Sequence, residues 1–126
     1  MAYMQTPRQT LGQRGEDEVA KYLERNGCTI LERNLKKPWG EIDVVARRKK
    51  VIRFVEVKSG SGASSFFRPE LNLHPNQKRR LLRAARLYLA KKKYPPEQEY
   101  QIDLAAVEFG EDREPIIRYY ERAITE

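Results

Sequence analysis

Two β-branched runs on either side of a short basic segment constrain the fold of this chain more than any other feature. The runs "EIDVVA" (41–46) and "VIRFVEV" (51–57) have the composition of strands, and the polar "RRKK" between them predicts a turn. Together they predict a β-hairpin in the core of the domain. The same hairpin carries Asp43, Glu56 and, just beyond, Lys58. Charged groups are costly in a core unless they are paired or bind a ligand.

The alternation of side chains along a strand predicts where these charges lie. Glu56 and Lys58 follow Ile52 and Phe54 on one face, so they stand at the end of an apolar row. Asp43 on the partner strand can then face Glu56 across the hairpin. Two carboxylates so placed repel each other unless a cation lies between them.

Helical periodicity predicts a third carboxylate on the core side of the first helix. Glu16 precedes Val19, Ala20 and Leu23 by helical intervals, which places it on their face. The flanking Gly12 and Gly15 leave room for a ligand or a close backbone approach, or they only weaken the first turn.

The rest of the pattern predicts an α/β fold in one domain, residues 1–126, with a central mixed five-stranded sheet flanked by helices in the order α-β-β-β-α-β-β. Residues 1–9 are predicted to be a flexible N-terminus. Thr10 and Gln13 have capping-box spacing, and Gly27 suits a helix end. The predicted elements are a first helix over 11–26, a short strand over 28–31, the two hairpin strands, a mobile Gly/Ser/Pro-rich loop over 59–76, a second helix over 76–92, and strands over 100–109 and 115–124.

The charge balance points to a polyanionic partner. The chain has 25 Lys and Arg against 18 Asp and Glu, a net charge of +7. Eight of the basic residues fall between Lys78 and Lys93 with no acid among them, whereas an ordinary solvated helix face mixes both signs. We therefore predict that DNA binds here and at the 59–76 loop, through Gln77, Lys78, Arg79, Arg80, Arg83, Arg86 and Arg68.

Other features exclude several classes of protein. A single cysteine, Cys28, rules out an internal disulfide framework and a multi-cysteine zinc site. No apolar run reaches the length of a membrane span, and the N-terminus lacks the apolar segment of a signal peptide. These observations predict a cytoplasmic protein without a membrane partner.

The carboxylates and the lysine together favour metal-dependent phosphodiester chemistry. Mg²⁺ or Mn²⁺ takes oxygen ligands, which Asp43 and Glu56 provide with Glu16 in support. Lys58 can orient a water or balance charge that develops in the reaction. The alternative is a cross-strand ion pair of Lys58 with Glu56 or Asp43, without catalysis.

The same residues carry a family resemblance. Asp43 followed by Glu56-x-Lys58 resembles the PD-(D/E)XK nuclease motif, with Ile42 in place of the proline. The longer pattern, "LGQRGEDEVAKYLERNG", "GEIDVVA", "FVEVKS" and "KRRLLRAARLYLA", resembles the YraN family of small bacterial nuclease-like proteins, which is similar in fold to archaeal Holliday junction resolvases.

This resemblance implies a restriction-endonuclease-like fold, metal ligands at Asp43 and Glu56, a catalytic lysine at Lys58 and an acidic helix residue at Glu16. The family commonly opens its second helix with Lys-Gln, and Gln77-Lys78 stands there in this chain, so either residue is a candidate to face the site. The resemblance also implies a supporting role for Asp103. The alternative is that Asp103 only makes a hydrogen bond at a strand end.

The sequence therefore predicts a Mg²⁺- or Mn²⁺-dependent DNA endonuclease, and the resemblance extends its substrates to branched DNA. Cutting a junction requires action on two strands, which favours a homodimer. Two alternatives stay open: a nucleic-acid-binding module with a degenerate nuclease site, and a basic scaffold for a protein partner.

Overall fold

A computed structural model describes residues 7–61, 68 and 73–125, without the side chains of residues 7–9. In chain order the elements are α1 (Pro7–Arg25), β1 (Thr29–Lys37), β2 (Gly40–Arg48), β3 (Val51–Ser61), α2 (Pro75–Lys91), β4 (Tyr100–Phe109) and β5 (Ile116–Ile124). The predicted α/β fold and its α-β-β-β-α-β-β order are confirmed.

The five strands form one mixed sheet in the order β1-β2-β3-β4-β5. β1, β2 and β3 are antiparallel neighbours, β3 and β4 run parallel, and β5 returns antiparallel to β4. The parallel pair needs a crossover connection, which contains α2. The carboxyl ends of β3 and β4 consequently meet at one edge of the sheet.

The core lies in two layers, one on each face of the sheet. Val19 and Leu23 of α1 pack on one face with Val44 and Val55. On the other face α2 packs against a second cluster, formed by Leu81, Ala84, Ala85 and Tyr88 with Ile42, Val45, Ile52, Phe54 and Ile102. Ile52 and Phe54 thus face α2, whereas Val55 faces α1, as strand alternation requires.

Several predicted boundaries are wrong, for local reasons. α1 begins at Pro7, so Thr10 lies inside the helix and does not cap it, and the predicted flexible segment 1–9 is helical from residue 7. Proline suits a first helical turn because the missing N–H would have no intrahelical partner there. The predicted strand over 28–31 is longer in the structure, where β1 runs from Thr29 to Lys37. An edge strand can extend beyond its apolar residues because backbone hydrogen bonds to one neighbour hold it.

Residues 59–61 and 75–76 of the predicted 59–76 loop belong to regular elements, and residues 62–67 and 69–72 lie outside the described part of the chain. β3 continues to Ser61, and α2 begins at Pro75. His74 caps that helix, since its Nδ1 accepts a hydrogen bond of 3.0 Å from the Asn76 backbone N–H. Within the described part of the chain, no helix is long and apolar enough to cross a membrane.

Candidate active site

Asp43 lies where the β2–β3 hairpin opens. The β2–β3 pairing runs from the turn as far as Val44 and Val55 and ends there. Beyond that pair, the backbone N–H of Val57 on β3 donates to a side chain instead of a backbone carbonyl. Oδ2 of Asp43 accepts a hydrogen bond of 2.8 Å from the N–H of Val57. The carboxylate therefore replaces a backbone acceptor and is fixed between the two separating strands.

Glu56 meets Asp43 at this opening. Its side chain is 17 % exposed. Burial, the charge of Asp43 and a hydrogen bond with Asp43 raise the pKa of the Glu56 carboxyl to about 8, against the opposing effect of Lys58. The raised pKa reflects burial and the repulsion between two carboxyl groups that lie side by side, and a bound cation would relieve that repulsion.

Lys58 follows on the same face of β3. Its Nζ lies 4.0 Å from Oε1 of Glu56, and 29 % of its side chain is exposed. This distance fits the ion-pair interpretation, and the exposure leaves the ammonium able to contact a ligand. Its role in catalysis stays a prediction.

Glu16 approaches Asp43 from the other side of the sheet. Burial and then the charge of Asp43 raise the pKa of the Glu16 carboxyl, while Arg33 and Lys36 oppose the rise. Close packing of α1 on β3 makes this possible: a Cβ on Gly15 would lie 2.9 Å from the Cβ of Ser59. Gly15 therefore serves a close approach, whereas a Cβ on Gly12 would meet nothing within 4 Å.

Asp43 is consequently shared by two different carboxyl neighbours. Among residues 7–61, 68 and 73–125, no group of three or more acids, histidines or cysteines is close enough to hold a metal ion by itself. The donor set that does meet, two carboxylates at an open position, suits a hard cation that completes its shell with waters and a phosphate. The ligand roles of Asp43, Glu56 and Glu16 stay predictions.

A pocket of about 510 Å³ opens beside the acidic pair, between the β1–β2 turn and α2. Glu56, Gln77, Arg80 and Arg83 line it. Gln77 is therefore the residue of the Gln77-Lys78 pair that faces the site, whereas Lys78 is exposed outside this lining.

The basic side of α2 continues outward from this pocket. A second depression is lined by Gln77, Arg79, Arg80 and Arg83, so three of these residues border both cavities. Arg86 is exposed further along the helix. The structure thus aligns the candidate DNA-binding residues of α2 beside the acidic pair, and their binding of DNA stays a prediction.

A second basic cluster was not predicted from the sequence. Glu108 on β4 pairs with Arg113 at 3.0 Å, Arg118 at 3.4 Å and Arg68 at 3.8 Å. Ala106 pairs with both Lys58 and Arg118, which puts these two residues in one row across the sheet. In the sequence, the alternation within "IIRYYE" was the only signal that could have pointed to Arg118. The strand register was needed to show that Arg118 lies in line with Lys58.

Asp103 belongs to a separate hydrogen-bond network, although its Cα partner on β3, Val55, adjoins Glu56. It is fully buried, and it accepts hydrogen bonds from Tyr119 Oη, Gln101 Nε2 and the Arg122 N–H, with Arg53 at 3.8 Å. The Arg122 bond spans the register shift between β4 and β5. The simpler structural interpretation of Asp103 therefore fits, because its hydrogen-bonding capacity is used within the core network.

Comparison with known proteins identifies the family. The sequence profile of the uncharacterised protein family UPF0102 matches residues 15–107. This chain belongs to the UPF0102 family. The matched segment contains Glu16, Asp43, Glu56 and Lys58, together with all of α2.

Individual UPF0102 proteins support the assignment. One from Syntrophotalea carbinolica is 45 % identical over 86 residues, which are 68 % of this chain and 69 % of that protein. One from Herminiimonas arsenicoxydans is 36 % identical over 77 % of each chain. One from Helicobacter pylori is 31 % identical over 87 % of this chain and 91 % of its own length. The family resemblance seen in the sequence is confirmed.

Proposed function

We propose that this UPF0102 protein is a Mg²⁺- or Mn²⁺-dependent endonuclease that hydrolyses phosphodiester bonds in DNA, including branched DNA. The observation that carries the proposal is the opening of the β2–β3 hairpin at Asp43. It brings Asp43 and Glu56 together beside Lys58, at the mouth of a pocket whose other wall is basic.

Each residue has a chemical role in this proposal. Asp43 and Glu56 hold the cation, and Glu16 adds negative charge behind Asp43. When bound, the cation supplies polarisation of a phosphoryl oxygen and a lower pKa for a coordinated water. Lys58 donates hydrogen bonds to the phosphate oxygens as negative charge develops on them. Water adds to phosphorus while one P–O ester bond breaks, and the leaving oxygen takes up a proton.

The arginines of α2 account for substrate binding. Arg80 and Arg83 border the pocket that contains Glu56, so phosphates held by their guanidinium groups lie next to the acidic pair. Phosphate contacts position a nucleic acid without reading its sequence, so we expect little sequence preference.

The decisive experiment incubates the purified protein with labelled duplex, flap and four-way-junction DNA in Mg²⁺, Mn²⁺ or EDTA. We expect metal-dependent products that fall by at least 100-fold in Lys58→Ala and Glu56→Gln, because these groups act in the transition state. Lys50→Ala is the matched control, since Lys50 is an exposed lysine at the opposite end of the same hairpin. Equal cleavage by Lys58→Ala and Lys50→Ala would refute the proposal.

A binding module without catalysis is the second candidate, favoured by the 4.0 Å separation of Lys58 from Glu56. If that ion pair is only structural, Lys58→Ala should lower the melting temperature, because a partly buried carboxylate loses its partner. A nuclease predicts instead that Lys58→Ala keeps its melting temperature and DNA affinity and loses cleavage. Thermal unfolding and binding titrations on the same preparations separate the two candidates.

A further inference from the structure

The pocket beside the acidic pair has an aromatic wall as well as a basic one. Trp39, at the turn between β1 and β2, lines it together with Arg80, Arg83 and Glu56. Part of the indole packs against the core beneath α2, and part is exposed. A large aromatic ring thus borders a cavity whose other walls carry charges of both signs.

The position of this ring is fixed by the neighbouring backbone. Gly40 follows Trp39 and lies against α2, where an added Cβ would be 2.6 Å from the Cβ of Ala84. Lys91 at the end of the same helix holds its Nζ 5.7 Å from the ring centroid. The turn is therefore clamped to α2, and the indole is preorganised at the edge of the pocket.

The chemistry of the walls specifies an occupant. Arg80 and Arg83 favour an anion, the carboxyl groups of Glu41 and Glu56 favour neutral donors or a cation, and Trp39 favours a flat π system. A nucleotide has a phosphate, a base with N–H donors and an aromatic face. The volume of about 510 Å³ lies within the range of small-molecule sites, and a base that stays stacked in a duplex cannot present its face to Trp39.

We propose that this pocket is a subsite for a single unpaired nucleotide of the DNA strand being cut, with the base against Trp39 and its phosphate on Arg80 and Arg83. The inference rests on the proposed function and narrows its substrate class. Stacking on an aromatic side chain requires a base that has left its own stack. DNA with a locally unpaired strand, such as a flap or a junction arm, is the preferred substrate over a continuous duplex.

The chain offers a direct readout, because Trp39 is its only tryptophan. The full-length protein is titrated in EDTA, which prevents metal-dependent cleavage, and intrinsic tryptophan fluorescence is recorded. The probes are a single-stranded oligonucleotide, a flap, a blunt duplex of equal length and an abasic single strand. We expect the first two to quench the emission at least twice as strongly as the last two at saturation. Equal quenching by all four probes, or no quenching by any, overturns the subsite.

Variants provide an independent measurement by fluorescence anisotropy of labelled DNA. Trp39→Leu keeps an apolar group against the core and should weaken single-strand binding about tenfold, while leaving blunt-duplex affinity unchanged. Trp39→Phe retains an aromatic face and should preserve most of the affinity. Equal losses for single strand and duplex contradict the inference, and the fluorescence titration does not depend on the folding of either variant.

The subsite and the nuclease fail separately. If cleavage depends on metal and on Lys58 but Trp39 shows no base-dependent quenching, the subsite proposal is refuted and the nuclease proposal stands. Base-dependent quenching without cleavage of any substrate supports the subsite and removes the nuclease, so that the pocket would serve the binding module.

Discussion

At the residue scale, two aspartates of the sheet differ in burial and in how many hydrogen-bond partners the protein gives them. Asp103 is fully buried, and Tyr119, Gln101 and Arg122 all donate hydrogen bonds to it. Asp43 is only partly buried, accepts a hydrogen bond from one backbone N–H, and lies beside the Glu56 carboxyl, whose pKa burial and the Asp43 charge raise. A satisfied carboxylate stabilises the fold, whereas one that borders an open pocket can bind a ligand.

The raised pKa of Glu56 predicts how stability depends on pH. A carboxyl whose folded pKa is about 8 binds more protons than in the unfolded chain, where the ordinary value is 4.5. Between these values the folded state therefore loses stability as pH rises, by at most about 1.4 kcal/mol per pH unit for this one group. We expect Glu56→Gln to flatten the decline, as measured by urea unfolding in EDTA from pH 5 to 8.5.

The control for this measurement is Glu24→Gln, because Glu24 is an exposed glutamate on α1. Its pH profile should match that of the parent protein. The raised pKa of Glu16 gives a slope of the same sign, so Glu16→Gln combined with Glu56→Gln should give the flattest profile. A profile for Glu56→Gln that parallels the parent would contradict the placement of its carboxyl beside Asp43.

At the scale of elements, the site depends on how closely the two helices approach the sheet. Gly15 brings α1 onto Ser59 of β3, and Gly40 brings the β1–β2 turn onto Ala84 of α2. Each contact occurs beside a functional candidate, Glu16 in the first case and Trp39 in the second. If α1 stood further from the sheet, Glu16 would lie further from Asp43. If α2 stood further from the β1–β2 turn, the pocket between them would no longer have the same walls.

Two glycines of α1 make a matched pair for testing this approach. Gly15→Ala should destabilise the protein by about 1–3 kcal/mol, because the new Cβ meets the side chain of Ser59. Gly12→Ala should stabilise it by about 0.5–1 kcal/mol, because alanine is the better helix former and the space is open. Urea denaturation measures both.

A second substitution on β3 identifies the cause. Ser59→Gly should restore most of the stability lost in Gly15→Ala, because it removes the atoms in conflict. If Gly15→Ala and Gly12→Ala have the same effect, helix propensity rather than the contact with β3 governs this segment.

At the scale of the whole molecule, the charge is unevenly distributed between the two faces of the sheet. The net charge is +7, and α2 contributes Lys78, Arg79, Arg80, Arg83, Arg86 and Lys91 without a single acid. α1 on the opposite face mixes acids with bases. A field of one sign beside the acidic pair would guide a polyanion to the α2 face.

This asymmetry predicts a salt dependence that differs between faces. Replacing Arg80 and Arg83 with alanine should lower the slope of log affinity against log salt concentration by about 1.8, since each phosphate contact contributes about 0.9. Filter-binding titrations on duplex DNA between 50 and 300 mM NaCl measure the slope.

The matched control removes the same charge from the other face. Lys21→Ala with Arg25→Ala alters two exposed basic residues of α1 and should leave the slope unchanged. Equal changes in the two double variants would show that net charge, rather than the α2 face, controls binding.

The sequence by itself determined the element order, the mixed sheet and the hairpin, because strand and helix periodicities are local properties of the chain. It also identified Asp43, Glu56, Lys58 and Glu16 as unusual, since charge on core-facing positions is visible without coordinates. It did not determine the ends of β1 or the start of α1, which depend on backbone pairing and on the first helical turn rather than on apolar pattern.

Only the tertiary structure decided how these residues relate to one another. The opening of the hairpin at Asp43, the turning of Asp103 into the core, the choice of Gln77 over Lys78 and the pocket bordered by Trp39 all depend on strand register and helix placement. These are set by contacts between residues far apart in the chain. A pattern confined to neighbouring residues carries no information about such contacts until the sheet and its two helices pack together.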